Sequence, residues 1–217
     1  MLTIKDLFDL NHTIAADYLS RFTYPWEALA GIQDFILSVG PTLENYNEVA
    51  PHVWVHKTAT VAPTAYLGGP CIIGPETEVR HCAFIRGSAL VGAGCVVGNS
   101  VELKNVILFD GVQTPHYNYV GDSILGYKSH MGAGSITSNV KSDKLPVVVR
   151  CGDERIDTGR KKVGAMLGDF VEVGCNSVLN PGTVIGPHSI IYPTSCVRGV
   201  LPERSIYKND GTVLPRK

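Results

Sequence analysis

Apolar positions recur along this chain every six residues. Val55, Val61, Leu67, Ile73, Val79, Ile85, Val91, Val97 and Leu103 form one unbroken series of branched aliphatics. Leu167, Val173, Leu179, Ile185, Ile191 and Val197 form a second. Small or short residues run two places earlier: Ala59, Ala65, Cys71, Thr77, Ala83, Ala89, Cys95 and Val101 before the first series, and Ala165, Val171, Ser177, Thr183, Ser189 and Ser195 before the second. Glycine often follows the aliphatic, as at Gly74, Gly92, Gly98, Gly168, Gly174 and Gly186. A period of six is neither that of a strand nor that of a helix. It predicts a short strand and a tight turn, repeated, with three units closing a triangular coil of about 18 residues. The aliphatic points into the prism and stacks on its counterpart about 4.8 Å above. The small residue points inward near a corner, and the glycine is expected to supply backbone freedom at the turn. The architecture is an all-β parallel β-helix.

Two interruptions break the pattern. Phe109 is in phase, but the series resumes at Tyr119, so residues 110–118 read as an inserted loop. Leu125, Met131 and Thr137 follow, with Ser123, Ser129 and Ser135 at the small positions. The second break, 140–163, holds a turn-like CGDE between two β-prone runs, which predicts an excursion hairpin. Loops are where function concentrates.

Residues 1–50 have a different texture and predict a small helical cap. Thr3 and Asp6 make a capping box before Leu7 and Leu10. Pro25 opens a second helix carrying Trp26, Leu29, Ile32, Phe35 and Ile36, which Gly40 and Pro41 end. A solenoid needs such a cover for its terminal strands, although a subunit-packing role or a separate ligand-binding role is also open. Residues 51–203 are then the β-helix domain and 204–217 a C-terminal tail.

The 217 residues carry a net charge of −1. That balance argues against nucleic acid or an anionic membrane as the main partner. No apolar run approaches the ~20 residues that span a bilayer, and MLTIKDLFDL lacks the layout of a signal peptide. Six cysteines show no metal-like spacing; Cys71 and Cys95 fall at inward small positions. A cytoplasmic location with reduced thiols is expected.

Around the first interruption the chain reads VELKNVILFDGVQTPHYNYVGDSILGYKSHMGAGSITSN. Its HxxYxGD and GAGxxTxN blocks resemble those of the acetyltransferase domain of bifunctional N-acetylglucosamine-1-phosphate uridylyltransferases. The stretch Ile156 to Ala165 resembles the C-terminal domain of archaeal-type sugar-1-phosphate nucleotidylyltransferase/acetyltransferases. The resemblance covers about residues 55–200, and the nucleotidylyltransferase half has no counterpart here. It implies a left-handed winding, acetyl-CoA as co-substrate, an amino-sugar 1-phosphate as acceptor, no metal in the transfer, homotrimers with sites between neighbouring prisms, and the possibility of a separate nucleotidylyltransferase partner.

The resemblance makes His116 the general base. An imidazole titrates near neutral pH, as removal of a proton from an attacking amine requires. The alternative is a loop histidine stacking at a subunit contact. Arg86 and Lys104 lie eighteen residues apart, so the repeat stacks them on one face, where an anion between them would relieve their repulsion. The resemblance makes them sugar-phosphate ligands, with Tyr119 and Asn139 as further substrate contacts; solvated surface charges are the alternative. His130 stands where the bacterial enzymes have asparagine, which leaves the identity of the sugar open. Either Lys141 or Lys144 matches a family lysine. The resemblance puts the Ala133 amide and Cys175 along the cofactor, and an N–H at Ala133 could steady an oxyanion. Arg160, Lys161 and Lys162 form a basic cluster that could meet cofactor phosphates or be solvated.

Two other functions fit the same pattern. A carbonic-anhydrase-like site would take zinc from His81, His116 and a third histidine; Gly121 and Asp122 stand where that histidine is expected, leaving His130 as a substitute. A non-catalytic sugar-phosphate-binding or scaffold protein is the other, since fold does not imply activity.

Overall fold

The computed structural model describes residues 1–216. The chain winds as a triangular prism of short parallel strands, preceded by a helical segment. Three columns of strands form three faces, named A, B and C in chain order. Face A begins with Val53–His56, Cys71–Ile73 and Ala89–Val91; face B with Thr60–Val61, Glu78–Val79 and Val96–Asn99; face C with Tyr66–Leu67 and Phe84–Ile85. Two longer strands, Glu102–Leu108 and Tyr119–Leu125, bend round a corner and serve faces C and A in turn. Every aliphatic of the two six-residue series from Val79 on is buried, and the shared interior is the core.

The first interruption is not a loop. Gln113–His116 is a regular strand of face B, with Thr114 opposite Val97 and His116 opposite Asn99. These partners are seventeen residues apart, as are Leu103 and Val120. One residue is missing from each of two successive turns, so the inward series runs Leu103, Leu108, Thr114, Val120, Leu125 and Met131. A fixed six-residue count therefore loses phase at Phe109. That side chain instead turns away from the prism and packs on Phe8, ring centroids 5.0 Å apart. The second interruption is real. Ile124 pairs with Met166, and within 140–163 the strands Val148–Cys151 and Glu154–Asp157 form the expected antiparallel hairpin.

The glycines after the aliphatics serve a different purpose from the one expected. At Gly92 a Cβ would lie 2.8 Å from the amide nitrogen of Asp110 in the next coil, and at Gly168 it would lie 2.8 Å from the nitrogen of Pro187. These glycines let stacked corners approach; left-handed φ is taken elsewhere, by residues such as Asn105, Tyr117 and Asp122.

The helical segment lies along face A. Thr3 and Asp6 form the capping box of the helix Ile4–Leu7. The second predicted helix divides at Gly31 into the 3-10 turn Pro25–Ala30 and the α-helix Ile32–Val39; Tyr18 Oη would be 2.7 Å from a Cβ there. The outward residues of face A are apolar and buried: Ile72, Leu90, Ile107, Ile124, Met166 and Val184. Burying such a ladder under the segment removes on the order of 1.5–3 kcal/mol of unfavourable exposure per side chain. Backbone hydrogen bonds tie the two together: Asp110 N–H donates to His12 O at 3.0 Å and Asp169 N–H to Leu7 O at 3.0 Å. The segment is thus a flank rather than an end cover. The first coil is instead edged by the strand Tyr46–Ala50, antiparallel to Val53–His56.

The expected C-terminal tail is also structured. Ser205–Tyr207 continues face B, and Val213–Pro215 folds back antiparallel onto it. Among the described residues no helix is long and apolar enough to cross a membrane.

Candidate active site

Face C carries the residues of interest at its two edges. The edge shared with face B holds His116. Gly134 N–H donates to His116 O at 3.0 Å, Asn176 N–H to Ala133 O at 2.9 Å, and Thr194 N–H to Cys175 O at 2.8 Å. His116, Ala133 and Cys175 therefore climb one corner in successive coils. The His116 side chain is exposed, and no side chain among the described residues hydrogen-bonds its ring. The N–H groups of Ala133 and Cys175 donate to no protein acceptor among the described residues, whereas the equivalent Ala93 N–H is taken by Asp110 Oδ1 at 2.7 Å. This edge thus presents an imidazole and unengaged amides in a row.

The edge shared with face A holds Arg86 and Lys104, stacked as the repeat predicts: Arg86 N–H donates to Leu103 O at 2.9 Å. Their mutual repulsion is relieved by carboxylates. Arg86 Nη1 lies 2.8 Å from Glu102 Oε1, and Lys104 Nζ lies 3.2 Å from Asp122 Oδ2. Repulsion between the two cations therefore gives no argument for a bound anion, which is a correction to the reasoning from spacing. Glu102 and Asp122 lie 16 and 18 residues beyond their partners, so an acid one coil along was the available signal.

Asp122 is the hub of this edge. Its side chain is 3% exposed. Besides Lys104 it accepts from Asn105 Nδ2 at 2.9 Å and Asn139 Nδ2 at 2.6 Å. Asn139 Nδ2 also donates to Tyr119 Oη at 3.1 Å. Burial pushes the Tyr119 phenol upward from its ordinary range, so at neutral pH it keeps its proton. Lys104, Asp122, Asn139 and Tyr119 are one connected network, and Tyr119 stands between the two edges of face C.

Along the chain, His116 and Gly121, the neighbour of Lys104 in the next coil, are five residues apart. That spans at most about 17 Å of extended backbone. A ligand touching both edges must lie across face C over Tyr119. Lower on the same face Tyr66 and Phe84 pack together at 5.6 Å and are 61% and 43% exposed. An exposed apolar pair beside an open polar face is the character of a contact surface.

The remaining predicted residues separate. His130 lies outward on face B, its Nδ1 2.9 Å from Glu172 Oε2. Arg160, Lys161 and Lys162 line a cleft with Lys104, Asn105 and Asp122, not with Ala133 and Cys175 in the same protomer. Lys141 Nζ lies 3.1 Å from Asp143 Oδ2 and lines a 230 Å³ cavity with Arg150 and Arg198; Lys144 is exposed, with φ 57°. His81 shares the His116 corner, since Ser100 N–H donates to His81 O at 3.2 Å and Asn99 pairs with His116. Asn99 separates the two histidines, and among the described residues no three His, Cys, Asp or Glu side chains gather to hold a metal.

The family described as "GMPPB C-terminal domain" matches residues 69–205. The chain is 32% identical over 205 residues to "Bifunctional protein GlmU" of Methanococcus maripaludis, covering 92% of this chain and 50% of that protein. It is 37% identical over 94 residues to "Bifunctional sugar-1-phosphate nucleotidylyltransferase/acetyltransferase" of Sulfurisphaera tokodaii, covering 43% of this chain and 23% of that one. Among solved structures, a hexapeptide transferase family protein from Anaplasma phagocytophilum aligns with a TM-score of 0.43 at 14% identity, covering 76% of this chain and 79% of that one. The chain spans at most about half the length of these two curated relatives.

Proposed function

Because the chain belongs to the GMPPB C-terminal domain family, with its hexapeptide-repeat relatives, we propose that it transfers an acetyl group from acetyl-CoA to the amine of an amino-sugar phosphate. The observation that carries the reading is the corner shared by His116, Ala133 and Cys175, facing the Arg86–Lys104 edge across Tyr119. The thioester lies along the corner and the acceptor lies across face C. The amine attacks the thioester carbonyl, and His116 takes its proton as the C–N bond forms. The Ala133 N–H faces the oxyanion that develops on the carbonyl oxygen. The C–S bond then breaks, and the proton leaves with the CoA thiolate. No covalent enzyme intermediate is needed.

Lys104 and Arg86 keep positive charge at the acceptor edge even though each is paired, because a carboxylate in a hydrogen-bonded network fixes a cation without removing its free N–H donors. The open face C becomes a cleft when a second prism stands against it, so we read the active form as a homotrimer with sites between neighbours. Incubating the protein with acetyl-CoA and glucosamine 1-phosphate while following free-thiol release tests the reading. Release that depends on the amino sugar supports it; none with any amino-sugar phosphate removes it.

A further inference from the structure

We propose that the cleft between the helical segment, the solenoid corner and the 159–162 run is a diphosphate-binding site, so that the acceptor is a nucleoside-diphosphate-linked amino sugar. The substrate half of this inference rests on the acetyl-transfer reading above; the binding half does not.

The cleft measures about 570 Å³ and has three walls. Leu29, Ala30 and Gln33 come from the helical segment, and Gly159 to Lys162 from the excursion. The third wall is the corner that carries Lys104 and Asp122. The walls are fastened. Asn105 Nδ2 donates to Leu29 O at 3.2 Å. The basic run is held at both ends, since Val147 N–H donates to Arg160 O at 2.8 Å and Val163 N–H to Asn139 O at 3.0 Å.

The charge in this cleft is one-sided. Among the described residues Asp122 is its only acidic side chain, and that carboxylate is already engaged by Lys104, Asn105 and Asn139. Arg160, Lys161 and Lys162 have no carboxylate within ion-pair distance among the described residues, unlike Arg86 and Lys104. The Nε of Arg160 is buried and has no hydrogen-bond partner among the described residues. A buried guanidinium N–H wants an acceptor, and phosphate oxygens match the guanidinium fork.

Lys104 belongs both to the cleft and to the edge of face C. A sugar lying over Tyr119 would set its first phosphate at Lys104. A single phosphate would end there, beside cations already paired, and leave the three uncompensated charges round the corner unused. A second phosphate continues into them. A diphosphate diester carries about two negative charges at neutral pH, which three cations neutralise well.

Calorimetric titration of the whole chain with inorganic phosphate, pyrophosphate and UDP tests the site without any acetyl transfer. Pyrophosphate and UDP should bind at one site per chain at least about 10-fold more tightly than phosphate. The Lys161→Ala/Lys162→Ala double variant, altered only at exposed side chains, should weaken them by about 10–100-fold. The His116→Ala variant should bind as the parent does. Equal affinity for phosphate and pyrophosphate, or full binding in the double variant, overturns the site. Acetyl transfer to UDP-glucosamine should exceed transfer to glucosamine 1-phosphate in kcat/KM, and the double variant should shrink that ratio. Preference for the 1-phosphate overturns the substrate assignment, while tight diphosphate binding without any transfer would sink the acetyl-transfer reading and leave the site standing.

Discussion

At the scale of single residues, the cysteines and carboxylates of this chain differ by their surroundings rather than by their type. Cys71 and Cys95 are buried at inward positions, and burial pushes both thiols up to about 12. Cys82, Cys175 and Cys196 are exposed. Alkylation at neutral pH, mapped by peptide mass spectrometry, should label those three and spare Cys71 and Cys95, because the thiolate is the reacting form. Acetyl-CoA should protect Cys175 selectively if the cofactor follows the His116 corner; equal protection of all three exposed thiols would argue against that path. His116→Ala should lower turnover on the order of 10²–10⁴-fold with an unchanged unfolding midpoint. Asp122→Ala should do the opposite in kind. It strands Lys104, Asn105 and Asn139 around a vacated, buried position, so an unfolding titration in urea should show a loss of about 2–4 kcal/mol.

At the scale of elements, the relation between the helical segment and face A governs stability. Ile107 is fully buried although its side chain points out of the prism. Ile107→Ala should cost about 2–5 kcal/mol, as in any large-to-small core change, where an outward residue on a bare solenoid face would cost almost nothing. One buried carboxylate, that of Asp169, joins the segment to the prism. Asp169 accepts from Asp9 N–H at 2.7 Å and Tyr127 N–H at 2.8 Å. Burial raises its pKa above the ordinary aspartate value, and the same holds for Asp110. A carboxyl raised in the folded state binds its proton more tightly there than in the unfolded chain. Its contribution to stability is therefore greatest at acid pH and declines as pH rises from the ordinary aspartate pKa, about 4, through the raised folded value. Thermal unfolding followed from pH 4 to 7 should show the parent losing ground to Asp169→Asn as pH rises; a parallel pair of curves would contradict the sign.

At the scale of the whole molecule, an isolated prism presents an open face C with exposed Tyr66 and Phe84 at one end and the His116–Tyr119–Lys104 span further along. Sedimentation equilibrium should give about three times the chain mass of 23.4 kDa. Phe84→Glu, a charge placed on the exposed aromatic pair, should shift the protein toward monomer and lower acetyl transfer together with it. A monomeric parent with full transfer would remove the need for a neighbouring prism.

The coil itself was legible in the residue order because its cause repeats: each inward position meets the same confined interior, so the same class of side chain recurs. The hairpin at 148–157, the capping box at Thr3 and the stacking of Arg86 on Lys104 were legible for similar reasons, being set by near neighbours or by one coil of separation. Residues 110–118 defeated the count because losing one residue per coil leaves every local preference intact and changes only the register against the coils on either side. The charge partners Glu102 and Asp122, the burial of Ile107 and the meeting of Arg160 with Lys104 depend on contacts across the surface of the prism. Asn105 meets Leu29 and Asp9 meets Asp169 because a separate segment docks on the flank. Such contacts join residues with no common period, so no repeat records them, and they come into being only when the coils have stacked and the helical segment has covered face A.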